Sequence, residues 1–228
     1  MPDQDFIQTI RLNEIFMPAA SRERRDMFER QGLEFSPHAL GVQFAHYTSA
    51  DAAMKIIRSK RIWTRNAKCM SDYSEVTHGY DLLKQYFDVR ANTEEFVRVF
   101  DAIAPGAARQ AFDTFNGWWR ERHLGLNIFV ASLTEHDAIK ENKFGRLSMW
   151  RGFGSASDTR VALVLKVAAH SQATTALSLF FGPVVYAKTE DLAAEMRQVL
   201  DNVTRETAFL KSIDPEQIYH YLFAMIFS

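Results

Sequence analysis

Apolar residues recur at helical spacing through the start of the chain. Residues 6–16 carry an apolar side chain at nearly every third or fourth position, and Met17 and Pro18 end this segment. A more charged helix follows, with Ser21 as its predicted N-cap and Gly32 just past its predicted end. Residues 1–40 are therefore predicted to form a helical extension that precedes the main domain.

The pattern then changes to that of a strand followed by a helix. Residues 42–47 predict a short strand. Thr48 and Asp51 stand at capping-box spacing, so a helix is predicted to begin where the strand ends and to continue to about Ser59. Its predicted buried face consists of Ala53, Met54, Ile56 and Ile57. Residues 61–65 predict a second short strand.

Three helices are predicted in the middle of the chain. The first has three alternative caps: Ser71, Asp72 and Ser74. Thr93 is the predicted cap of the second, and Pro105 and Gly106 separate it from a third that continues to about Arg122. The aromatic residues of these helices have the spacing of a packed helix face, which favours a core over a ligand cage.

The second half of the chain contains apolar runs that predict buried strands. Residues 127–133 and 161–167 each predict one strand, and residues 179–187 predict a third strand or a pair divided at Gly182 and Pro183. Two helices follow, from Thr189 to about Lys211 and from Asp214 onward. This order predicts an α+β fold, in which a small mixed or antiparallel sheet is flanked by helices. Residues 41–228 are predicted to form one domain.

Composition narrows the class of protein. Hydrophobic residues make up 47% of the chain, which excludes general disorder. The 27 basic and 28 acidic residues give a net charge of −1, so no overall field attracts nucleic acid. The single cysteine excludes an internal disulfide, and the histidines show no metal-ligand spacing, so we expect no metal. No secretory signal and no bilayer-length apolar run stand out, so we expect a cytoplasmic protein without a membrane partner.

Three polar groups stand beside apolar elements, where sites concentrate. His46, Tyr47 and Thr48 end the first strand, and an imidazole there can exchange hydrogen bonds near neutral pH. Asp72 and Glu75 lie three residues apart at a helix start. The alternatives are structural: a histidine bonded to backbone, a threonine that only caps, and acids that favour the first helical turn.

The third group comes from the second half of the chain. Ser132 ends a predicted strand, and Trp150 and Arg151 precede two glycines in a polar segment. An arginine beside glycines can bind a phosphate or carboxylate in a bidentate way, and a tryptophan can stack on a flat ring. The alternative is a structural tryptophan with a solvent-facing arginine. The sequence leaves both open.

Taken in order, these segments resemble the uncharacterised bacterial family called domain of unknown function 2971. The resemblance covers about residues 42–190 and rests on short motifs: His46-Tyr47-Thr48, Ile62-Trp63-Thr64-Arg65, Ser71-Asp72-Tyr73-Ser74-Glu75, Ser132 and Trp150-Arg151-Gly152-Phe153-Gly154. The third keeps the family's acids but loses its asparagine and proline, and the last has phenylalanine in place of tyrosine. The family continues with a glutamate-rich strand, so the resemblance implies that this chain lacks a C-terminal strand segment.

The first strand is also similar to that of the ADP-ribosyltransferase fold, which includes DNA-modifying toxins. This similarity implies a split sheet, NAD as cofactor, and a role in a toxin or phage-defence setting. His46 would hold a ribose hydroxyl and Tyr47 or Trp63 would pack a ring, while Arg65 or Arg151 would meet the pyrophosphate. Further nucleotide-binding positions would be Thr48, Asp72, Ser132 and Trp150, and Glu75 would be the catalytic acid.

The leading hypothesis is therefore NAD-dependent ADP-ribosyl transfer or NAD cleavage. A non-catalytic module that binds a nucleotide or a protein partner at the same residues is the alternative. Either function implies a nucleotide-like small molecule as ligand. The sequence does not identify the acceptor, which could be a protein or a nucleic acid. A dedicated nucleic-acid binder is the third hypothesis, and the balanced charge argues against it.

Overall fold

The structure is a computed structural model that describes residues 4–35, 40–69, 73–120, 129–153, 159–168 and 182–227. The chain divides into two compact units. The helical unit comprises Met1–Arg24, Asn66–Ile128 and Phe180–Ser228, and the sheet unit comprises Arg25–Arg65 and Phe129–Leu179.

The elements combine helices and short strands, so the predicted mixture of the two is confirmed. The helices are α1 (Gln4–Phe16), α2 (Pro18–Arg30), α3 (Ala50–Ser59), α4 (Tyr73–Asp88), α5 (Arg90–Asp101), α6 (Ala107–Arg120), α7 (Leu147–Gly152), α8 (Thr189–Arg205), α9 (Thr207–Leu210) and α10 (Pro215–Phe227). The strands are β1 (Leu40–Ser49), β2 (Arg65–Asn66), β3 (Phe129–Val130), β4 (Thr134–Glu135) and β5 (Arg160–Ala168). A short 3-10 helix covers Ala67–Cys69. None of these helices is long and apolar enough to cross a bilayer.

The helical unit is held together by one apolar core. Phe16, Phe96 and Phe100 are fully buried, and the ring of Phe16 lies 5.9 Å from that of Phe100 and 5.7 Å from that of Tyr221. The helical spacing of the apolar residues is what brings these rings to one side of each helix. The aromatic face predicted for the middle of the chain therefore packs as a core.

Helix α1 is part of this core. Leu12 and Phe16 are fully buried, and the side-chain amide of Asn202 donates to the carbonyl oxygens of Glu14 and Ile15 at 3.3 and 3.4 Å. These bonds satisfy carbonyls near the end of α1. The sequence analysis divided the chain into a helical extension, residues 1–40, and one domain, residues 41–228. That division stays a prediction.

The sheet unit is built on β1. This strand lies at the centre of a three-stranded antiparallel sheet in the order β4-β1-β5, with Tyr47 opposite Ala162 and Ala45 opposite both Val164 and Thr134. Strands β2 and β3 form a separate pair. The antiparallel option of the sequence prediction is thus correct, whereas the split sheet of the ADP-ribosyltransferase fold stays a prediction.

Alternate residues of β1 are buried on both of its faces, among them Phe44 and Tyr47. Phe44 packs on one face with Phe28 and Leu133. Helix α3 follows β1 directly and packs against β1 and β5, with Ala53 and Ile56 buried. Met54 and Ile57, also predicted to be buried, are 49% and 58% exposed because only one of the two neighbouring stripes of α3 meets the sheet.

Three predicted helix caps differ from the structure. The hydroxyl of Ser49, and not that of Thr48, accepts from the backbone N–H of Ala52 at the start of α3. Ser21 lies inside α2, which begins at Pro18 because proline suits the first turn of a helix. Thr93 lies within α5, where its hydroxyl donates to the Phe87 carbonyl.

The predicted strands outside β1 and β5 are shorter than expected. The run 127–133 forms strand structure only at β3 within its described part, and Phe129 is 57% exposed. Residues 61–64 and 182–187 are not in strands, although their composition favours strands. A strand forms only where a partner strand is available, and local sequence does not contain that information.

Candidate functional site

His46 is held by the backbone of the segment between β3 and β4. The half-buried imidazole places Nδ1 3.1 Å from the carbonyl oxygen of Ser132. A carbonyl oxygen only accepts, so Nδ1 carries the proton of this bond, and in the neutral ring Nε2 is left as an acceptor. This contact agrees with the structural alternative, a histidine bonded to backbone.

Two further predicted residues, Thr48 and Arg65, are connected to this bond through the strands of the structure. Thr48, which is half-buried, follows His46 by two residues and so leaves β1 on the same face. Strand β2 begins at the exposed Arg65 and pairs with β3, from which the chain leads directly to Ser132. The fold therefore connects His46, Ser132 and Arg65 through one hydrogen bond and one strand pair.

Tyr47 and Trp150 form a second cluster. Consecutive strand residues point to opposite faces, so Tyr47 leaves β1 on the side away from His46. Its ring is 4% exposed and meets the ring of Trp150 edge-on, with centroids 4.7 Å apart. The Tyr47 hydroxyl accepts from the backbone N–H of Arg146 at 2.8 Å, and Trp150 Nε1 donates to the Phe144 carbonyl at 2.7 Å.

This aromatic pair therefore has its polar atoms occupied by protein. Gly145 fits between them with φ +64°, and a Cβ there would lie 2.7 Å from Trp150 Nε1 and 2.9 Å from the Tyr47 hydroxyl. The backbone of Trp150 also accepts from the Arg160 guanidinium. In this arrangement Tyr47 and Trp150 anchor the chain around Gly145, which agrees with the structural alternative for Trp150.

A polar network that the sequence analysis missed supports this cluster. Arg146 Nε donates to Glu141 Oε1 at 2.6 Å, and its other nitrogens donate to Thr134 Oγ1 at 3.2 Å and to the Glu135 carbonyl at 3.3 Å. Glu141 Oε2 accepts from the backbone N–H of Asp137 at 3.2 Å. The local signals were the adjacent polar pair His136-Asp137 and the spacing of Asp137 and Glu141. Neither shows the partners of these side chains, because tertiary structure sets them.

His136 lies at the base of this network. It is 3% exposed, its Nε2 lies 3.2 Å from Asn142 Oδ1, and its Nδ1 has no hydrogen-bond partner among the described residues. Glu141 Oε2 lies 3.7 Å from that Nδ1.

The carboxyl of Asp137 is held by backbone. The N–H groups of Lys140 and Ile139 donate to it and hold its pKa below the ordinary value of 3.8.

The remaining predicted residues are not joined to these clusters by any described contact. Arg151 is exposed, and Trp63 is 52% exposed with the Lys55 ammonium 5.7 Å from its ring centre. Glu75 lies in α4, in the helical unit, and its side chain is outside the described residues, as is the whole of Asp72. Within the described part of the chain, no three His, Cys, Asp or Glu side chains are placed to hold a metal ion.

Comparisons with known proteins add no family. No family model matches the chain, and neither the curated proteins nor the solved structures contain a match.

Proposed function

We propose that the sheet unit binds NAD and that the protein cleaves it, transferring ADP-ribose to an acceptor or to water. The observation that carries this proposal is the bond between His46 Nδ1 and the Ser132 carbonyl. Because Nδ1 is the donor there, Nε2 is the acceptor that a ribose hydroxyl requires. A histidine held in this way meets its ligand without a change of tautomer or orientation.

The chemistry of the step defines what else is needed. The bond between nicotinamide and C1′ of the ribose breaks, and nicotinamide leaves with the electron pair. The sugar becomes oxocarbenium-like until the acceptor or water attacks C1′ and loses a proton. A carboxylate stabilises this charge, and a guanidinium binds the pyrophosphate.

Arg65 is our choice for the pyrophosphate, because its strand pairs with the strand that leads to Ser132. Arg151 is exposed and keeps this role as an alternative. Glu75 is the carboxylate implied by the resemblance, and its role rests on that resemblance alone.

The test is incubation of the full chain with NAD, measuring nicotinamide release and transfer of labelled ADP-ribose. His46→Ala should lower the rate about tenfold or more, because a hydrogen bond to the ribose is lost. The matched control is His78→Ala, since the His78 ring also contacts a backbone carbonyl, that of Ala187, at 3.3 Å. The proposal is wrong if the wild-type chain neither releases nicotinamide nor transfers label, or if both variants behave alike.

A non-catalytic nucleotide-binding module is the second candidate. Two carboxylates of the sheet unit, Glu135 and Glu141, are ion-paired with Arg30 at 2.7 Å and with Arg146 at 2.6 Å. Such pairing reduces the negative charge that either could offer to an oxocarbenium ion. Calorimetric titration with NAD and ADP-ribose separates the two functions, because binding without nicotinamide release supports the module.

A further inference from the structure

Several large apolar side chains are exposed on one short segment of the sheet unit. Ile139 is 95% exposed, Phe144 75% and Leu147 63%. Single exposed apolar residues are ordinary on protein surfaces, whereas a group of them at neighbouring positions marks a contact surface. This segment precedes and begins α7.

The backbone of the segment presents these side chains together. The N–H of Glu141 donates to the Asp137 carbonyl at 2.7 Å, and the N–H of Gly145 donates to the Glu141 carbonyl at 2.8 Å. Two successive helix-like turns result, with Asp137, Glu141 and Gly145 along one side. Ile139, Lys140, Lys143 and Phe144, which lie within these turns, are exposed to solvent.

Two lysines lie beside these exposed apolar residues in the sequence. Lys140 and Lys143 are exposed, and the Lys143 ammonium lies 5.2 Å from the centre of the Phe144 ring. We call Ile139, Lys140, Lys143, Phe144 and Leu147 the apolar–basic surface. The acids nearest in sequence have partners, since Asp137 is paired with Lys140 at 3.3 Å and Glu141 with Arg146 at 2.6 Å. With these two ion pairs counted as neutral, Lys143 is the cation left over, so the surface is positive by that one lysine.

The surface is also held in place from its inner side. The Asp137 carboxylate accepts from the backbone N–H groups of Ile139 and Lys140 at 2.9 and 3.1 Å. At the other end, the backbone of Arg146 is fixed to the Tyr47 hydroxyl. A partner that binds here pays little to order the backbone, because folding has already ordered it.

We propose that the apolar–basic surface binds anionic lipid membranes at their interface. Side chains as exposed as Ile139 and Phe144 protrude, and a fluid lipid interface accepts protruding apolar groups without a matching pocket. Lysines beside them fit the anionic headgroups, with their alkyl stems along the apolar region. A protein partner would need a cavity shaped for these three side chains and an acidic rim. The sequence analysis expected no membrane partner because it counted apolar runs, and that criterion detects only spanning segments.

The test is co-sedimentation of the full chain with vesicles of phosphatidylcholine alone and of phosphatidylcholine mixed with phosphatidylserine. We expect binding to the mixed vesicles that weakens as salt is raised. The double variant Ile139→Ser with Phe144→Ser, and separately Lys140→Ala with Lys143→Ala, should each lower the partition coefficient about tenfold. The matched control is Val184→Ser with Val185→Ser, which removes apolar groups that are 76% and 68% exposed elsewhere and should leave binding unchanged.

Other occupants give different results. If a second copy covers the surface, the wild-type chain sediments as a dimer without lipid, and the serine variant is monomeric. If the helical unit of the same chain covers it, the serine variant loses stability. If a protein partner is the ligand, vesicles of either composition do not bind. Each of these results, or equal binding of the wild type and the serine variant, overturns the proposal.

Discussion

Among the described glycines of the sheet unit, Gly145 is the one where an added methyl group should be most disruptive. Its φ of +64° is costly for any residue with a Cβ, and the added atom would lie 2.7 Å from Trp150 Nε1 and 2.9 Å from the Tyr47 hydroxyl. Neither of these atoms can retreat without loss, because each makes a hydrogen bond to the backbone of the same segment.

Gly32→Ala is the matched control, since Gly32 has a φ of +66° and nothing within 4 Å of a Cβ. The backbone conformation alone should then cost about 1 kcal/mol at either position. At Gly145 the overlap adds roughly 1–3 kcal/mol. Loss of one hydrogen bond adds about 1 kcal/mol. Gly145→Ala should therefore destabilise the sheet unit by about 2–4 kcal/mol more than Gly32→Ala.

The assay is the urea dependence of hydrogen exchange at the amides of β1, because these amides report unfolding of the sheet unit separately from the helical unit. Gly152→Ala, where φ is not positive and nothing lies within 4 Å, should change little and serves as a second control. Equal destabilisation by Gly145→Ala and Gly32→Ala would refute the contact between Gly145 and the aromatic pair.

Three further predictions follow from single contacts. Ser49→Ala should cost about 1 kcal/mol by hydrogen exchange because it removes the cap of α3, and a larger effect of Thr48→Ala would favour the cap predicted from sequence. Phe16→Ala should cost about 3–5 kcal/mol in chemical denaturation because its ring is fully buried, and a change below about 1 kcal/mol would make α1 peripheral. The side-chain bond from Arg11 holds the pKa of Glu206 below its ordinary value of 4.5, so the stabilisation is present above that pH and is lost as the pH falls through the lowered value. Glu206→Gln should reduce the loss of stability on acidification, measured as the unfolding midpoint against pH, and an unchanged profile would contradict the ion pair.

The sequence was most informative about elements whose signal is periodic and local. Helices α1, α4, α5 and α6 and the strands β1 and β5 lie where the pattern predicted them, because an apolar face at a fixed repeat needs no distant partner to be recognised. It was wrong about the caps at Thr48, Ser21 and Thr93: Ser49 caps α3 in place of Thr48, and the other two helices begin earlier, at Pro18 and Arg90.

The sequence identified candidate residues but did not show which of them contact each other. His46, Tyr47, Ser132 and Trp150 all take part in specific contacts, but the structure distributes them over two faces of β1. Alternation along a strand, together with pairing to chain segments far along the sequence, decides which of them meet. No motif could show that Tyr47 contacts Arg146, 99 residues away.

By itself, the sequence determined that this chain folds as helices combined with a small sheet, because propensity and hydrophobic period act over a few residues. The tertiary structure alone decided that Tyr47 and Trp150 enclose Gly145, that His46 Nδ1 meets the Ser132 carbonyl, and that Ile139 and Phe144 face solvent. Those outcomes depend on contacts between groups that are far apart in the sequence. Such contacts stabilise the fold only once the loops between them have closed, so a short stretch of sequence does not reveal them.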